Sequence, residues 1–544
     1  MPPDPTLETK DVERRAGRDW PLMVASLAAL IWFLAWVRHF FLSDYHAIAT
    51  AIQDDSYYYL LPAWNFSRLG WFTFDGVTTT YGFQPLWEII LSVVGSMMGS
   101  REQFLRVTLA ISALLYATAS VMTALAARAV WRSRRPSGGS AALVFAAAAM
   151  LLNPEFSVAN LTGKENALYA VIFSSLIVIS LSVSPTRPLR GKYGSGCLAG
   201  AALLSRLTPM SVVAVAASYW PLIRYGSRRR LLGNIAAAVL VMLPWLVYST
   251  LAFGSVMPTS GRVKMEGFWG AVPTDPDGLG LLYHATVGYL AAVARFALGF
   301  MSPLSSIGPP SGDPQRMVFA LMGVAGAAWV LWSRQTYLVL LIGGLIAAYA
   351  AMPLLMYKHR DDIYYFTWYI VEIPIIAAIL VGAGVEFILD SLRRYSSALR
   401  LTATVALIVV TLTAVPGALS LAQPKLDYVD QGHWQDVMLT ATLWINTELH
   451  EPAGTRVAAG NCGLLGWFSK YTVVNLDGLA NDDIVAFTRA GGNYASYCKR
   501  LGVTVYADVG APDQLFPEFT IRQTFVMPGN RDWPTFYVAM LPAK

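Results

Sequence analysis

The sequence predicts a polytopic α-helical membrane protein with a C-terminal extracytoplasmic α/β domain, and three observations carry that prediction. The 544-residue chain is 55% hydrophobic and only 14% charged, with a mean hydropathy of +0.47, well above the apolar content of soluble domains. Its Lys and Arg residues cluster in short loops between apolar runs, the bias expected of loops on the inner side of a membrane. Beyond residue 421 the apolar runs give way to the composition of a soluble fold.

The first element is an apolar run over 21–42, preceded by the basic stretch ERRAGR and lacking a small-residue cleavage site. It reads as an anchor, with residues 1–20 cytoplasmic. Placing the basic clusters Arg132 to Arg135, Arg187 to Lys192, Arg224 to Arg230, Arg334 and Arg393 to Arg400 inside orders the rest. About eleven spans satisfy that alternation. They lie at 21–42, 104–130, 140–153, 166–184, 194–205, 209–223, 231–252, 317–333, 336–356, 366–387 and 401–421. Segments 86–98, with Glu88, and 281–301, with His284 and Arg295, read as surface-lying or re-entrant helices, because either one taken as a span turns later basic loops outward. Residues 21–421 then form a transmembrane module with a long outer loop at 43–103, and 422–544 form the outer domain. In that domain WQDVMLTATLWINTELH reads as an amphipathic helix, and VTVYADV, FTIRQTFVM and TFYVAML read as strands. Cys462 and Cys498 both fall there, where an oxidising compartment permits a disulfide, the alternative being two unpaired thiols packed as small hydrophobes.

The loops left outside hold the unusual polar chemistry. Asp54 and Asp55 open the run DDSYYYL. One reading makes them first-turn acids of a helix, and the other makes one of them a general base or a metal ligand. Tyr57, Tyr58, Tyr81, Gln84 and Trp87 offer stacking faces and hydrogen-bonding tips for a sugar. Lys164 and Glu165 start the fourth span, either as a snorkelling Lys with a helix-starting Glu or as substrate ligands. Arg206, Arg262, Lys264, His359 and Arg360 stand against the positive-inside bias, and their cations suit phosphate oxygens. Asn475 and Asp477, in NLDGLAND, either turn the chain or hydrogen-bond sugar hydroxyls.

Acids for proton transfer, cations for phosphate and aromatics for sugar therefore gather on one membrane face, while neither a GxxxxGK[ST] phosphate loop nor a dinucleotide fingerprint is present. A sugar carried on a polyprenyl phosphate meets these groups without any nucleotide, and the modest net charge of +6 points to no nucleic-acid partner. The expected activity is glycosyl transfer to a glycan, lipid or protein acceptor. A lipid-linked oligosaccharide ligase or polymerase is the alternative, and a transporter a more distant one, since the span interiors carry few ionisable groups.

The motifs DDSYYYL, YGFQPLW, GKENALYA, LLSRLTP, LPWLVYSTLAFGSVMPTSGRVK, TWYIVEIP and NLDGLAND, in that order, resemble the GT-C superfamily of multispanning glycosyltransferases, particularly its bacterial arabinofuranosyltransferase-like branch. The resemblance implies an acid of the first outer loop, Asp54 or Asp55, acting on the acceptor, with inversion at the anomeric carbon. It also implies a pentofuranose such as arabinofuranose as the sugar, and a bacterial inner membrane with the C-terminal domain on the periplasmic or extracellular side. A divalent cation serves some members and not others. Gln84 and Thr208 stand where relatives often carry a His and an acid.

Overall fold

The computed structural model describes residues 5–135, 138–183, 193–265, 314–355, 367–413, 434–452, 454–512, 516–527 and 535–541, with isolated positions between 280 and 290. Among the described residues, five helices are long and apolar enough to cross a membrane: Trp20–Leu42, Arg101–Arg132, Arg228–Phe253, Thr336–Pro353 and Glu372–Arg393. The other spans expected from loop charge fall on shorter helices. Ser140–Leu151, Asn166–Ser182, Gly194–Ser205 and Ser397–Thr413 are apolar but only 12–17 residues long, and Pro314–Trp332 has 19. The segment expected at 209–223 breaks into Pro209–Ser218 and Trp220–Tyr225, with Pro221 in the first turn of the second helix. The segment expected at 281–301 lies largely outside the described residues.

Close crossings hold the bundle together. A Cβ added at Gly384 would collide with the backbone oxygen of Met322, and one at Gly326 with that of Leu380, so Pro314–Trp332 and Glu372–Arg393 touch through their backbones. Lipid supplies no hydrophobic drive between helices, and small residues permit the van der Waals contact that replaces it.

The long loop after the first helix folds into three short helices, Tyr45–Ala51, Asp54–Leu69 and Pro85–Met97. Gly70, at φ 81°, ends the second in the left-handed conformation that favours glycine. Asn65 then donates to the carbonyls of Thr73 and Phe74, both at 3.0 Å, folding the chain back on its helix.

After Trp434–Glu448 comes a five-stranded sheet of β1 (Arg456–Ala459), β2 (Thr472–Asn475), β3 (Val503–Asp508), β4 (Thr520–Val526) and β5 (Thr535–Met540), in the order β2-β1-β3-β5-β4. The first three are parallel, and β5 and β4 add antiparallel pairings. Because side chains alternate along β1, Val457 and Ala459 join the core shared with the membrane helices while Ala458 joins a second cluster on the other face. Cys462 lies in the first core and Cys498 in the second, so the disulfide expected as one alternative does not form and both thiols are free.

Candidate active site

Among the described residues, parts of the loops expected outside meet at one end of the bundle. The N-termini of the Asn166–Ser182 and Glu372–Arg393 helices and the C-termini of the Gly194–Ser205 and Thr336–Leu355 helices gather there. They bring Glu165, Arg206, Tyr349 and Glu372 together, all buried. Arg206 pairs with Glu165 at 3.3 Å and donates to Asn166 Oδ1 at 2.9 Å. The Tyr349 hydroxyl donates to Glu372 at 2.6 Å, and the Glu372 charge also acts on Arg206. Arg206 is thus balanced by internal carboxylates, whereas the sequence suggested a lipid-phosphate ligand. Nothing local in SRLTP could show that, because its partner lies 41 residues earlier in the chain.

Above this layer the acidic pair divides. Gln53 is the N-cap and both acids sit in the first turn of the Asp54–Leu69 helix. Asp54 is buried and turned away, accepting the backbone N–H groups of Gly463 at 3.0 Å and Leu464 at 2.7 Å, at the start of the helix Gly463–Phe468. Burial pushes its carboxyl up to about 7, against the pull of those two hydrogen bonds. Asp55 is only half-buried, and its carboxylate accepts no hydrogen bond among the described residues. Its charge acts instead on Lys164 and on Asp477.

Lys164 is buried, with Nζ hydrogen-bonded to Gln53 Oε1. Burial pushes its ammonium down to about 7, while the charges of Asp55 and Glu165 pull the other way. The positive charge of Lys264 is close enough to add to the depression. Lys264 itself rises from the short helix Thr259–Met265 and donates to the Tyr369 hydroxyl at 2.6 Å. Arg262 on the same helix points elsewhere, donating to Thr259 at 2.7 Å beside Asp482. Arg262 and Lys264, both expected to face phosphate, are therefore split between two surroundings. His359 and Arg360 lie outside the described residues.

The aromatic rim expected from the sequence is mostly framework. Tyr57 donates to Ala49 O at 2.8 Å, and Trp87 Nε1 donates to Gly163 O at 2.8 Å, pinning the Lys164 loop. Tyr81 is buried, stacked on Phe253 and bonded to Val256 O at 3.2 Å. Gln84 accepts the Leu207 N–H at 3.1 Å. In each case a polar tip expected to meet sugar instead satisfies a backbone group. Tyr58 is different, since its hydroxyl reaches Gly460 O at 3.1 Å and Asp477 Oδ2 at 3.3 Å, joining the first loop to the sheet.

From the sheet, Asp477 approaches two residues beyond the end of β2, at the carboxyl edge of the parallel strands, where α/β sheets commonly present ligand-binding groups. Burial raises its carboxyl to about 7. Asn475 is buried, with its oxygen accepting the Gly478 N–H at 3.0 Å, and Asn481 caps the Asp482–Arg489 helix, so both serve the turn. A divalent cation finds no cage: among the described residues no group of three or more His, Cys, Asp or Glu side chains converges. Asp54 is already occupied by the amides of Gly463 and Leu464. An apolar recess lined by Trp36, Phe40, Ile48, Ile52 and Leu161 adjoins Gln53.

Sequence reasoning missed Gln53, Tyr349, Tyr369, Glu372 and Gly463. Only Glu372 carried a signal, as an acid at the mouth of a span.

Comparison with known proteins bears on the fold. Residues 427–537 match a family described as a domain of unknown function, DUF8728. No curated protein matches the chain. Among solved structures, ArnT from Cupriavidus metallidurans in the apo state aligns with a TM-score of 0.52 at 14% identity, covering 96% of this chain and 98% of that one. The same protein bound to undecaprenyl phosphate aligns at 0.50, with the same identity and coverage. The archaeal oligosaccharyltransferase AglB from Archaeoglobus fulgidus, in complex with an inhibitory peptide and a dolichol-phosphate, aligns at 0.49 and 14% identity over 96% of this chain and 74% of that one. The chain is therefore a polytopic, membrane-embedded protein that shares the fold of ArnT.

Proposed function

We propose that the protein is a glycosyltransferase that moves a sugar from a polyprenyl-phosphate donor to a hydroxyl of a glycan, lipid or protein acceptor. The observation that carries the reading is Asp55, a half-buried carboxylate with no hydrogen bond among the described residues, set beside the amine of Lys164, on which the charge of Lys264 also acts. An uncommitted acid next to paired cations is the minimum machinery for displacing a phosphate with an alcohol. The shared fold with a protein crystallised with undecaprenyl phosphate supports the donor class.

In the proposed step Asp55 takes the proton of the acceptor hydroxyl, and the freed oxygen pair forms a bond to the anomeric carbon. The bond from that carbon to the phosphate oxygen breaks, its electrons stay on the phosphate, and Lys164 and Lys264 stabilise the charge that develops there. Attack opposite the leaving group inverts the anomeric centre, with no covalent sugar intermediate. The proposed setting is a bacterial inner membrane with a cytoplasmic N-terminus and the site on the outer face. A pentofuranose such as arabinofuranose is the sugar favoured by the motif resemblance.

Mass spectrometry of lipids copurified with the full chain tests the reading. A polyprenyl-phosphate-linked sugar enriched on the protein is the expected result and would also name the sugar. Recovery of bulk phospholipid alone, together with no exchange of label from such donors, would sink it.

A further inference from the structure

Asp54 is adjacent to the proposed base and yet plays no part in the step above, although an acid this buried is costly to keep. Its position explains what it does. Both carboxylate oxygens are engaged by consecutive backbone amides, those of Gly463 and Leu464, more than 400 residues away in sequence. Contact there is so close that a Cβ at Gly463 would collide with the Asp54 backbone oxygen, and one at Gly466 would press into the Phe74 ring. The same seam is fastened on both sides. Tyr58, one turn along from Asp54, accepts the Cys462 N–H at 3.2 Å and donates to Gly460 O. Trp467 Nε1 donates to the Tyr45 hydroxyl at 2.7 Å, and Arg101 donates to the Trp467 carbonyl.

Two groups of the site hang on this seam. Asp55 follows Asp54 in the same helical turn, so its direction is set by whatever holds Asp54. Asp477 belongs to the turn after β2, tied to Gly460 and Cys462 through Asn475, whose side-chain amide donates to Gly460 O at 3.1 Å and reaches Cys462 Sγ at 3.2 Å. We infer that Asp54 is a positioning residue for sugar transfer: by clasping the Gly463 and Leu464 amides it holds the α/β unit against the first-loop helix, so that Asp477 faces Asp55 across the acceptor hydroxyl. This rests on the glycosyl-transfer reading for its chemistry, while the clasp stands on geometry alone. It makes the α/β unit a working part of the site, with Asp477 orienting the hydroxyl that Asp55 deprotonates.

The test uses the full chain in nanodiscs, with Asp54→Ala, Asp54→Asn and Gly463→Ala variants. Gly463→Ala opens the seam while every carboxyl group is kept, because the added Cβ would press on the Asp54 backbone oxygen and carboxyl group. Hydrogen exchange of the 462–468 peptide reads the clasp, binding of undecaprenyl phosphate reads the donor side, and transfer is read as kcat and acceptor KM separately. Expected results are exchange at 462–468 faster by about tenfold in Asp54→Ala and Gly463→Ala, since two hydrogen bonds are lost. Transfer should fall by about tenfold in both, with undecaprenyl phosphate affinity within about twofold of wild type. Asp54→Asn keeps one accepting oxygen and should fall between. Abolished transfer in Asp54→Ala with exchange unchanged would overturn the inference, as would wild-type transfer in Gly463→Ala. If the wild-type chain transfers no sugar from any polyprenyl-phosphate donor, the functional reading alone fails and the exchange result still decides the clasp.

Discussion

The two ends of the helical bundle use the same residue types in opposite ways. At the site end, Arg206 and Glu165 pair at 3.3 Å with side chains only 2% and 8% exposed. At the other end, Arg135 and Arg394 flank Asp390 at 3.6 and 3.5 Å, with 39% and 62% of their side chains exposed. Exposed charges retain their hydration and lose little if a partner is removed, so they are suited to setting orientation through loop charge. Buried charges have given up their hydration and depend on each other, so they fix geometry. Guanidinium–carboxylate pairs at similar separations therefore do two different things in one molecule. Burial, not the presence of an ion pair, distinguishes the two ends.

The sharpest way to break this comparison is Arg206→Ala. It leaves Glu165 buried without its partner and is expected to cost about 3–5 kcal/mol, read as a large fall in the melting temperature of the full chain in detergent. Adding Glu165→Gln should recover part of that loss. A wild-type melting temperature in the single variant would show that the buried pair organises nothing. Next comes Asp55→Asn, for which turnover should drop by ~10²-fold or more with the melting temperature unchanged, because the carboxylate carries chemistry and no structural bond. Retained turnover would move the base elsewhere.

Smaller, and dependent on pH, is the effect at Lys164. Burial lowers its ammonium to about 7, so the cationic fraction, and with it the Lys164-dependent part of undecaprenyl phosphate affinity, should decline as pH rises from 6 to 8. That decline is at most about tenfold. Lys164→Arg keeps its charge throughout and should flatten the profile, which isolates this group from titration of the phosphate itself. An unaltered profile in Lys164→Arg would remove Lys164 from the phosphate site. The smallest effect belongs to the opposite end, where Arg394→Ala should change stability by no more than about 0.5 kcal/mol. A loss comparable with Arg206→Ala would erase the distinction between the ends.

Much of this protein is legible in its amino-acid sequence. Apolar runs and basic loops, which act through local partition between lipid and water, are enough to place the acids, the Lys164 loop, Arg206 and the turn after β2 at one end of the bundle. The strands VTVYADV, FTIRQTFVM and TFYVAML contain β3, β4 and β5, because alternation is also a local property. Individual roles are much less legible. Tyr57, Tyr81, Gln84 and Trp87 look alike in sequence whether their polar tips meet a sugar or a backbone group, and only the fold supplies those backbone partners. Hydropathy also overstates helix length where Pro221 interrupts an apolar run.

By itself, then, the sequence determined the membrane class, the gathering of polar chemistry at one end of the bundle and the presence of an acidic pair, since each follows from short-range composition and hydrophobic periodicity. Tertiary structure alone decided which acid is committed and which is open. Asp54 and Asp55 are identical side chains in one helical turn, and they differ only because the amides of Gly463 and Leu464, 409 and 410 residues away, close on the first and leave the second uncovered.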